Sequence, residues 1–291
     1  MKRRLHFWLL TIGVILGGQV GLLHAQSPKT IEFGPHVGMT TSINDINPWK
    51  LFSQFDLEYG GLFRFNYDSR WTFRLDYTHS VVKATDTVAG WRPERELSFR
   101  SKINDVSLIV EFNFLDYYTG RVGSTISPYL FGGVSAFSFN TYAYTRNDII
   151  DEFWLGNLFA ERNAYRHYAL SIPFGFGCKL SLSPHLAASL EWRMHYTFTD
   201  YLDDIAEVYP ADDDHALLVA SDKGLDFIYG DANALSEGLT LIYDYTDPTG
   251  HYHEGQQRGN SQSNDWFGSL SLSITWKIPL PGGTACRVIN D

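Results

Sequence analysis

The stretch Trp266–Ile278 reads WFGSLSLSITWKI and alternates without a break. Trp266, Gly268, Leu270, Leu272, Ile274, Trp276 and Ile278 fall on one face, and Phe267, Ser269, Ser271, Ser273, Thr275 and Lys277 on the other. Side chains of a strand point alternately to opposite faces, so this segment is apolar on one side and mostly small and polar on the other. Trp near both ends of the apolar face completes the pattern of a barrel strand in a bilayer. Outward residues meet acyl chains, inward residues meet a polar lumen, and aromatic rings lie at headgroup level.

Seven earlier segments repeat the pattern. Thr30–Thr40 places Ile31, Phe33, Val37 and Met39 on one face. Glu58–Asp68 directs Tyr59, Phe63, Phe65 and Tyr67 outward, with Arg64 and Asn66 inward. From Trp71 onward, Phe73, Leu75 and Tyr77 face out while Thr72, Arg74, Asp76 and Thr78 face in. Asp105–Phe114 opposes Val106, Leu108, Val110, Phe112 and Phe114 to Glu111 and Asn113. Pro128–Asn140 gathers Tyr129, Phe131, Phe137 and Phe139 on one face, and Tyr168–Leu180 gathers Leu170, Ile172, Phe174, Phe176, Cys178 and Leu180. Leu186–Thr199 sets Leu190, Trp192, Met194, Tyr196 and Phe198 against Glu191, Arg193 and His195.

The chain is therefore expected to be all-β, an eight-stranded antiparallel transmembrane β-barrel with long loops. A soluble sandwich is the competing reading, because alternation alone does not separate the two. Strands of about ten to thirteen residues match a tilted bilayer crossing and exceed the ~5–6 usual in soluble sheets. Inward Arg64, Arg74, Asp76, Glu111, Lys179, Glu191 and Arg193 would ruin a dry core, whereas a small barrel pairs them in its lumen. Connections alternate short (68–70, 115–127, 181–185) and long (41–57, 80–104, 141–167, 200–263), as periplasmic turns and extracellular loops do. Ala216–Ala220 and Leu239–Tyr243 leave a ten-stranded variant open. Eight strands leave an interior just filled by side chains, which argues against an open pore.

Residues 1–26 read as a signal peptide: Lys2, Arg3 and Arg4, an apolar run, then Leu23-His24-Ala25-Gln26. The barrel is expected over 27–278, with a periplasmic C-terminal tail at 279–291 and the outer membrane as destination. Net charge is −10, and −13 once Lys2, Arg3 and Arg4 are removed, which argues against a nucleic-acid partner. Aromatic residues make up 15% of the chain, enough for two girdles.

Asp200–Glu254 holds eleven Asp and three Glu against one Lys. These carboxylates match no EF-hand spacing, and a solvated loop is the simpler reading. His251 and His253 lack a third ligand for a transition metal, so no metal or cofactor is expected. Inward His195 faces many inward Ser residues, but no spacing selects a nucleophile–base pair.

Several segments resemble one family: SPYLFGGVSAFSFN (127–140), SIPFGFGCKLSLSPHLAASLEWRMHYTFTDYLDDI (171–205), QRGNSQSNDWF (257–267) and EFNFLDYY (111–118). They look like the PorG-type outer-membrane barrel of the Bacteroidota type IX secretion system. The resemblance implies a non-enzymatic scaffold of a secretion and gliding machinery, anchoring a periplasmic ring of a PorK-like lipoprotein and its PorN-like partner. It marks Asp200, Tyr201, Asp203, Asp204, Arg258, Asn260, Asn264, Asp265 and Trp266 as a loop-base motif, with Arg258 expected to pair with Asp203 or Asp204. Cys178 at the periplasmic rim and Cys286 in the tail, beside Arg287, are expected to contact that partner. A disulfide is expected, either between them or from Cys286 to a ring subunit. The alternative is a stand-alone surface barrel, an adhesin or a lipid-modifying enzyme.

Overall fold

The computed structural model describes residues 29–117, 126–143, 153–154, 166–205 and 207–280. The first strands are β1 (Thr30–Ile43), β2 (Asp56–Asn66), β3 (Trp71–Thr85), β4 (Ser98–Asn113) and β5 (Ile126–Ala143). Next come β6 (Phe153–Trp154), β7 (Tyr168–Ser181) and β8 (Leu186–Thr197). Finally β9 (His215–Ser221), β10 (Gly224–Gly230) and β11 (Thr240–Asp244) precede β12 (Trp266–Pro279). A single four-residue helix, α1 (Asp86–Ala89), lies between β3 and β4.

Eight strands close into a barrel in the order β1-β2-β3-β4-β5-β7-β8-β12, with β12 returning to β1. All of these pairings are antiparallel. Closure removes every free edge, the condition for a sheet to cross lipid. The ten-stranded variant is not what forms. β9 to β11 make a separate three-stranded sheet, outside the barrel, in the order β10-β9-β11.

The outer surface is apolar from one aromatic belt to the other. Phe33, Val37, Leu75, Leu108, Leu190, Leu272 and Ile274 are all exposed. In water that surface would be untenable. Trp71 and Trp276 mark the end with short turns; Tyr59, Tyr77 and Trp266 mark the end with long loops. This is a membrane-spanning barrel of the outer membrane, with the first and last barrel strands beginning and ending on the short-turn side.

The interior is a closed ionic network. Glu191 accepts from Arg74 at 2.5 and 3.1 Å, from Arg193 at 2.9 Å and from the Tyr129 hydroxyl at 2.7 Å. Glu111 pairs with Arg64 and Arg74 at 3.0 Å and with Lys179 at 2.5 Å. Arg193 also reaches Asp76 at 2.8 Å. All seven inward charges named from the sequence join this network. The lumen cavity lined by Arg64, Arg74, Glu191 and Arg193 measures about 10 Å³, at most one water.

On β5 the aromatic face is the inner one. Tyr129, Phe131, Phe137 and Phe139 are buried, while Leu130 and Val134 face lipid. The space comes from β7, where Gly177 stands opposite Tyr129 and Gly175 opposite Phe131. A Cβ at Gly177 would lie 2.6 Å from the Tyr129 ring, and one at Gly175 would lie 2.7 Å from the Phe131 ring. The rings are used electrostatically as well: Arg74 lies 5.0 Å from the Phe131 centroid and Lys179 4.8 Å from that of Tyr129.

Candidate functional site

Above the ionic layer the barrel mouth turns apolar. Val82, Ala84, Phe99, Ile103, Phe137, Phe139 and Phe267 line its upper interior, and Ile46, Leu202 and Ile205 descend from the loops to fill it. The β1–β2 loop and the start of the β8–β12 connection are thus not free tethers; they form a cap packed into the mouth.

One guanidinium holds three of the cap's segments together. Arg95 is buried and donates to both carboxylate oxygens of Asp86, at 2.7 and 3.1 Å. It also donates to the Asp45 carbonyl at 2.9 Å and the Arg258 carbonyl at 2.7 Å. Asp86 opens α1, which ends at Gly90 in the left-handed region (φ +69°), where glycine carries no Cβ penalty. Asp86 further accepts from the Leu97 N–H at 3.1 Å, bracing the start and end of the same connection.

Arg258 performs the matching task from the other side. It donates to the Asp204 carbonyl at 2.7 Å, and more weakly to those of Thr246 and Tyr245 at 3.3 and 3.4 Å. The expected partnership with Asp204 therefore runs through the backbone carbonyl. Asp204 adopts φ +62°, an unusual conformation for a residue with a Cβ. The isolated bridge Val208–Gln257 closes a neck, beyond which β9 to β11 stand.

Beneath the neck four carboxylates gather. Asp265 accepts from the Leu202 N–H at 2.9 Å, and Asp203 from the Ile205 N–H at 3.0 Å. Asp203 Oδ2 is buried without a hydrogen-bond partner. Burial pushes the Asp203 carboxyl well up, reinforced by Asp265, Asp45 and Asp200. Asp265 is pushed well up too, by burial and by Asp200 and Asp45. Like charges buried this close together disfavour full ionisation, so the cluster holds a proton more readily than a free carboxylate does.

The loop-base motif is thus one place, with divided labour. Asp203, Asp204, Arg258 and Asp265 are buried, and Asp200 nearly so. Tyr201 lies at the edge, its N–H on Thr199 Oγ1 at 3.2 Å. The Asn260 N–H donates to Asp45 Oδ2 at 2.7 Å, Asn264 meets the Tyr196 hydroxyl at 3.5 Å, and Trp266 packs on Tyr196 in the upper belt. Asp45, Ile46, Asp86 and Arg95 complete the site and carry no motif in the sequence. The acids further along the loop serve turns: Asp244 and Asp247 accept backbone N–H groups, while Asp212–Asp214 form an exposed 3₁₀ turn. Among the described residues no group of His, Cys, Asp and Glu is placed to hold a metal ion.

The expected disulfide is not found. Cys178 is a free thiol, and no disulfide forms among the described residues. Cys178 lies on the lipid-facing side of β7, between Pro128 and Leu190 on the neighbouring strands, as the alternation predicts. Cys286 and Arg287 lie outside the described residues. His195 does find a serine: Ser171 Oγ lies 3.0 Å from its Nδ1. Both are buried, and Phe267 stacks on the imidazole at 4.2 Å beneath the cap.

Between the β1–β2 loop, the β3–β4 connection and the return at 257–266 runs a cleft of about 720 Å³. Trp49 and Trp91 stand at its rim, with ring centroids 6.2 Å apart at 69°.

A family model described as a domain of unknown function, DUF6089, matches residues 13–249. The chain belongs to the DUF6089 family. No curated protein matches it. Among solved structures this DUF6089 barrel is similar to the outer membrane protein OprG from Pseudomonas aeruginosa, at 10% identity and a TM-score of 0.40, over 88% of this chain and 98% of that one. A major outer membrane protein from Thermus thermophilus is 12% identical, with a TM-score of 0.36, over 86% and 99%. Neisserial surface protein A is 11% identical, with a TM-score of 0.35, over 86% and 97%. Nothing about ligand or partner follows from likeness at that distance.

Proposed function

We propose that this protein is a closed, non-enzymatic outer-membrane barrel that acts through its extracellular cap, as a stand-alone surface recognition protein. The observation that carries this is the division of the molecule. The lumen is filled by paired charges and its mouth is plugged by Ile46, Leu202 and Ile205, so bulk diffusion has no route. The cap, in contrast, is clamped around an open cleft. A barrel that conducts little and displays much is suited to adhesion.

The second reading, a type IX secretion scaffold holding a PorK-like and PorN-like ring, rests on the sequence motifs. The site they mark lies at the extracellular mouth, however, opposite the periplasmic turns a ring would touch, and this weighs toward the surface reading.

One genetic experiment separates them. Deletion, then restoration with wild type or Arg95→Ala, is followed by surface attachment and by secretion of other proteins. The surface reading expects attachment to need an intact cap, with secretion unaffected. Secretion failing on deletion, with a ring lipoprotein co-purifying with the wild-type barrel, would replace it by the scaffold.

A further inference from the structure

We propose that the rim cleft binds an uncharged oligosaccharide presented from outside the cell; this rests on the surface reading and names its ligand class. Three observations lead there.

The first is the pair of tryptophans. Trp49 is 73% exposed and Trp91 56% exposed. They do not belong to the membrane belt. β3 continues eight residues beyond the belt residue Tyr77 to Thr85, and Lys83 and Arg100 pair with Asp56 at 3.2 and 3.4 Å in between. Trp91 follows that charged zone, and Trp49 leans on it. Two indole faces at an angle form an apolar corner standing in water. An indole face is electron-rich, so the weakly positive C–H groups on one side of a pyranose ring are attracted to it.

The second is the set of polar groups left uncommitted across the cleft. The Ser263 hydroxyl and the Asn260 amide N–H₂ make no hydrogen bond among the described residues, and neither do the Trp49 and Trp91 indole N–H groups. Gln257 donates its N–H₂ to the Gly259 carbonyl at 2.9 Å, leaving its oxygen as an acceptor. Amide and hydroxyl groups of both polarities are what sugar hydroxyls need, because each hydroxyl both donates and accepts.

The third is charge. Arg95 and Arg258 line the cleft, but their guanidiniums are spent on Asp86 and on main-chain carbonyls. Arg92 is half-buried and sits 3.7 Å from Glu94. With its cations already matched, the cleft has little to offer a phosphate or an acidic peptide. The walls are pre-set by the Arg95 clamp, which lowers the ordering cost of binding. A volume of about 720 Å³ falls within the ~300–1,000 Å³ of small-molecule sites, room for a chain end of a few sugars.

The test uses the full-length barrel in detergent micelles and titration calorimetry. The probes are linear hexamers of glucose, mannose, galactose and N-acetylglucosamine, and the delipidated polysaccharide of the protein's own cell surface. At least one probe is expected to bind. Trp49→Ala and Trp91→Ala should each weaken it by about tenfold or more, while Trp276→Ala in the periplasmic belt leaves it unchanged. Both rim residues are exposed, so the variants fold, which the heat-dependent shift of intact barrels on gels verifies. Binding by none of the probes overturns the proposal, as does binding indifferent to both rim variants. So does capture of a protein through the same two rings. If attachment of cells is restored as well by Trp91→Ala as by wild type, the surface reading survives and the cleft assignment falls. If the sugar binds but attachment never needed the protein, the reverse holds.

Discussion

Arg95→Ala should release the cap while leaving the barrel intact. Arg95 is buried, and its four bonds tie the β3–β4 connection to the β1–β2 loop and to the 257–266 return. Truncation leaves Asp86, itself buried, without its counter-charge, and strips two carbonyls of their donor. Breaking a buried ion pair from one side costs ~3–5 kcal/mol, most of it from the orphaned charge. A local opening equilibrium that much easier should lower amide protection by roughly a hundred- to a thousand-fold or more. Hydrogen exchange read by mass spectrometry is the assay, on the micelle-bound barrel, over segments 43–50, 86–97 and 257–265. Strands around Arg74 and Glu191 should keep their protection, because no bond of Arg95 reaches them. Arg95→Ala combined with Asp86→Asn should recover part of the loss, since the double change removes the orphaned charge. Unchanged protection in the three cap segments, or equal loss throughout the barrel, would refute the clamp.

Three further predictions concern the lumen and the acid cluster. Glu191→Ala leaves Arg74 and Arg193 short of a carboxylate and the Tyr129 hydroxyl without its acceptor, so urea unfolding should show a loss of ~3–5 kcal/mol. Gly177→Ala sets a Cβ 2.6 Å from the Tyr129 ring, which its bond to Glu191 prevents from swinging away; a loss of ~1–3 kcal/mol is expected in the same assay. Asp203 and Asp265 have raised carboxyl pKa values in the folded cap, so the folded state holds protons that the open state releases. Their contribution is complete below the ordinary carboxylate range and is lost as pH rises through the raised values, so cap protection should fall as pH is raised above that range, and Asp203→Asn should flatten that profile.

The fold was legible because lipid and lumen impose opposite demands on adjacent residues. WFGSLSLSITWKI becomes β12 with Leu270, Leu272 and Ile274 toward lipid and its serines inside. The same rule locates all eight barrel strands. It leaves β5 undecided, because both faces are apolar: Leu130 and Val134 suffice for lipid, and the aromatic face is free to fill the lumen. The available clue lay elsewhere in the chain, in Gly175 and Gly177 at inward positions of β7, two vacancies that only neighbouring rings can fill. Alternation reports which residues share a face; it reports which face is inside only when one of them is polar.

The site was legible in its motif and illegible in its wiring, and the difference has a physical cause. Asp200 to Asp204 and Arg258 to Trp266 are clustered in sequence, so their convergence at the loop base could be anticipated. Arg95 and Asp86 sit in a connection without periodicity, and their partners Asp45 and Arg258 are 50 and 163 positions away from Arg95. Contacts of that separation exist only once the barrel has closed and brought β1, β3, β4 and β12 to one rim. The cap is therefore a consequence of closure, not an independent module. A sheet that failed to close would leave Arg95 with Asp86 alone, and the walls of the cleft would have nothing to hold them apart at a fixed distance. Any recognition by the cap accordingly reads out the integrity of the barrel beneath it, so a lumen change such as Glu191→Ala should weaken binding at the rim in proportion to the fraction of barrels it leaves unclosed, and not otherwise.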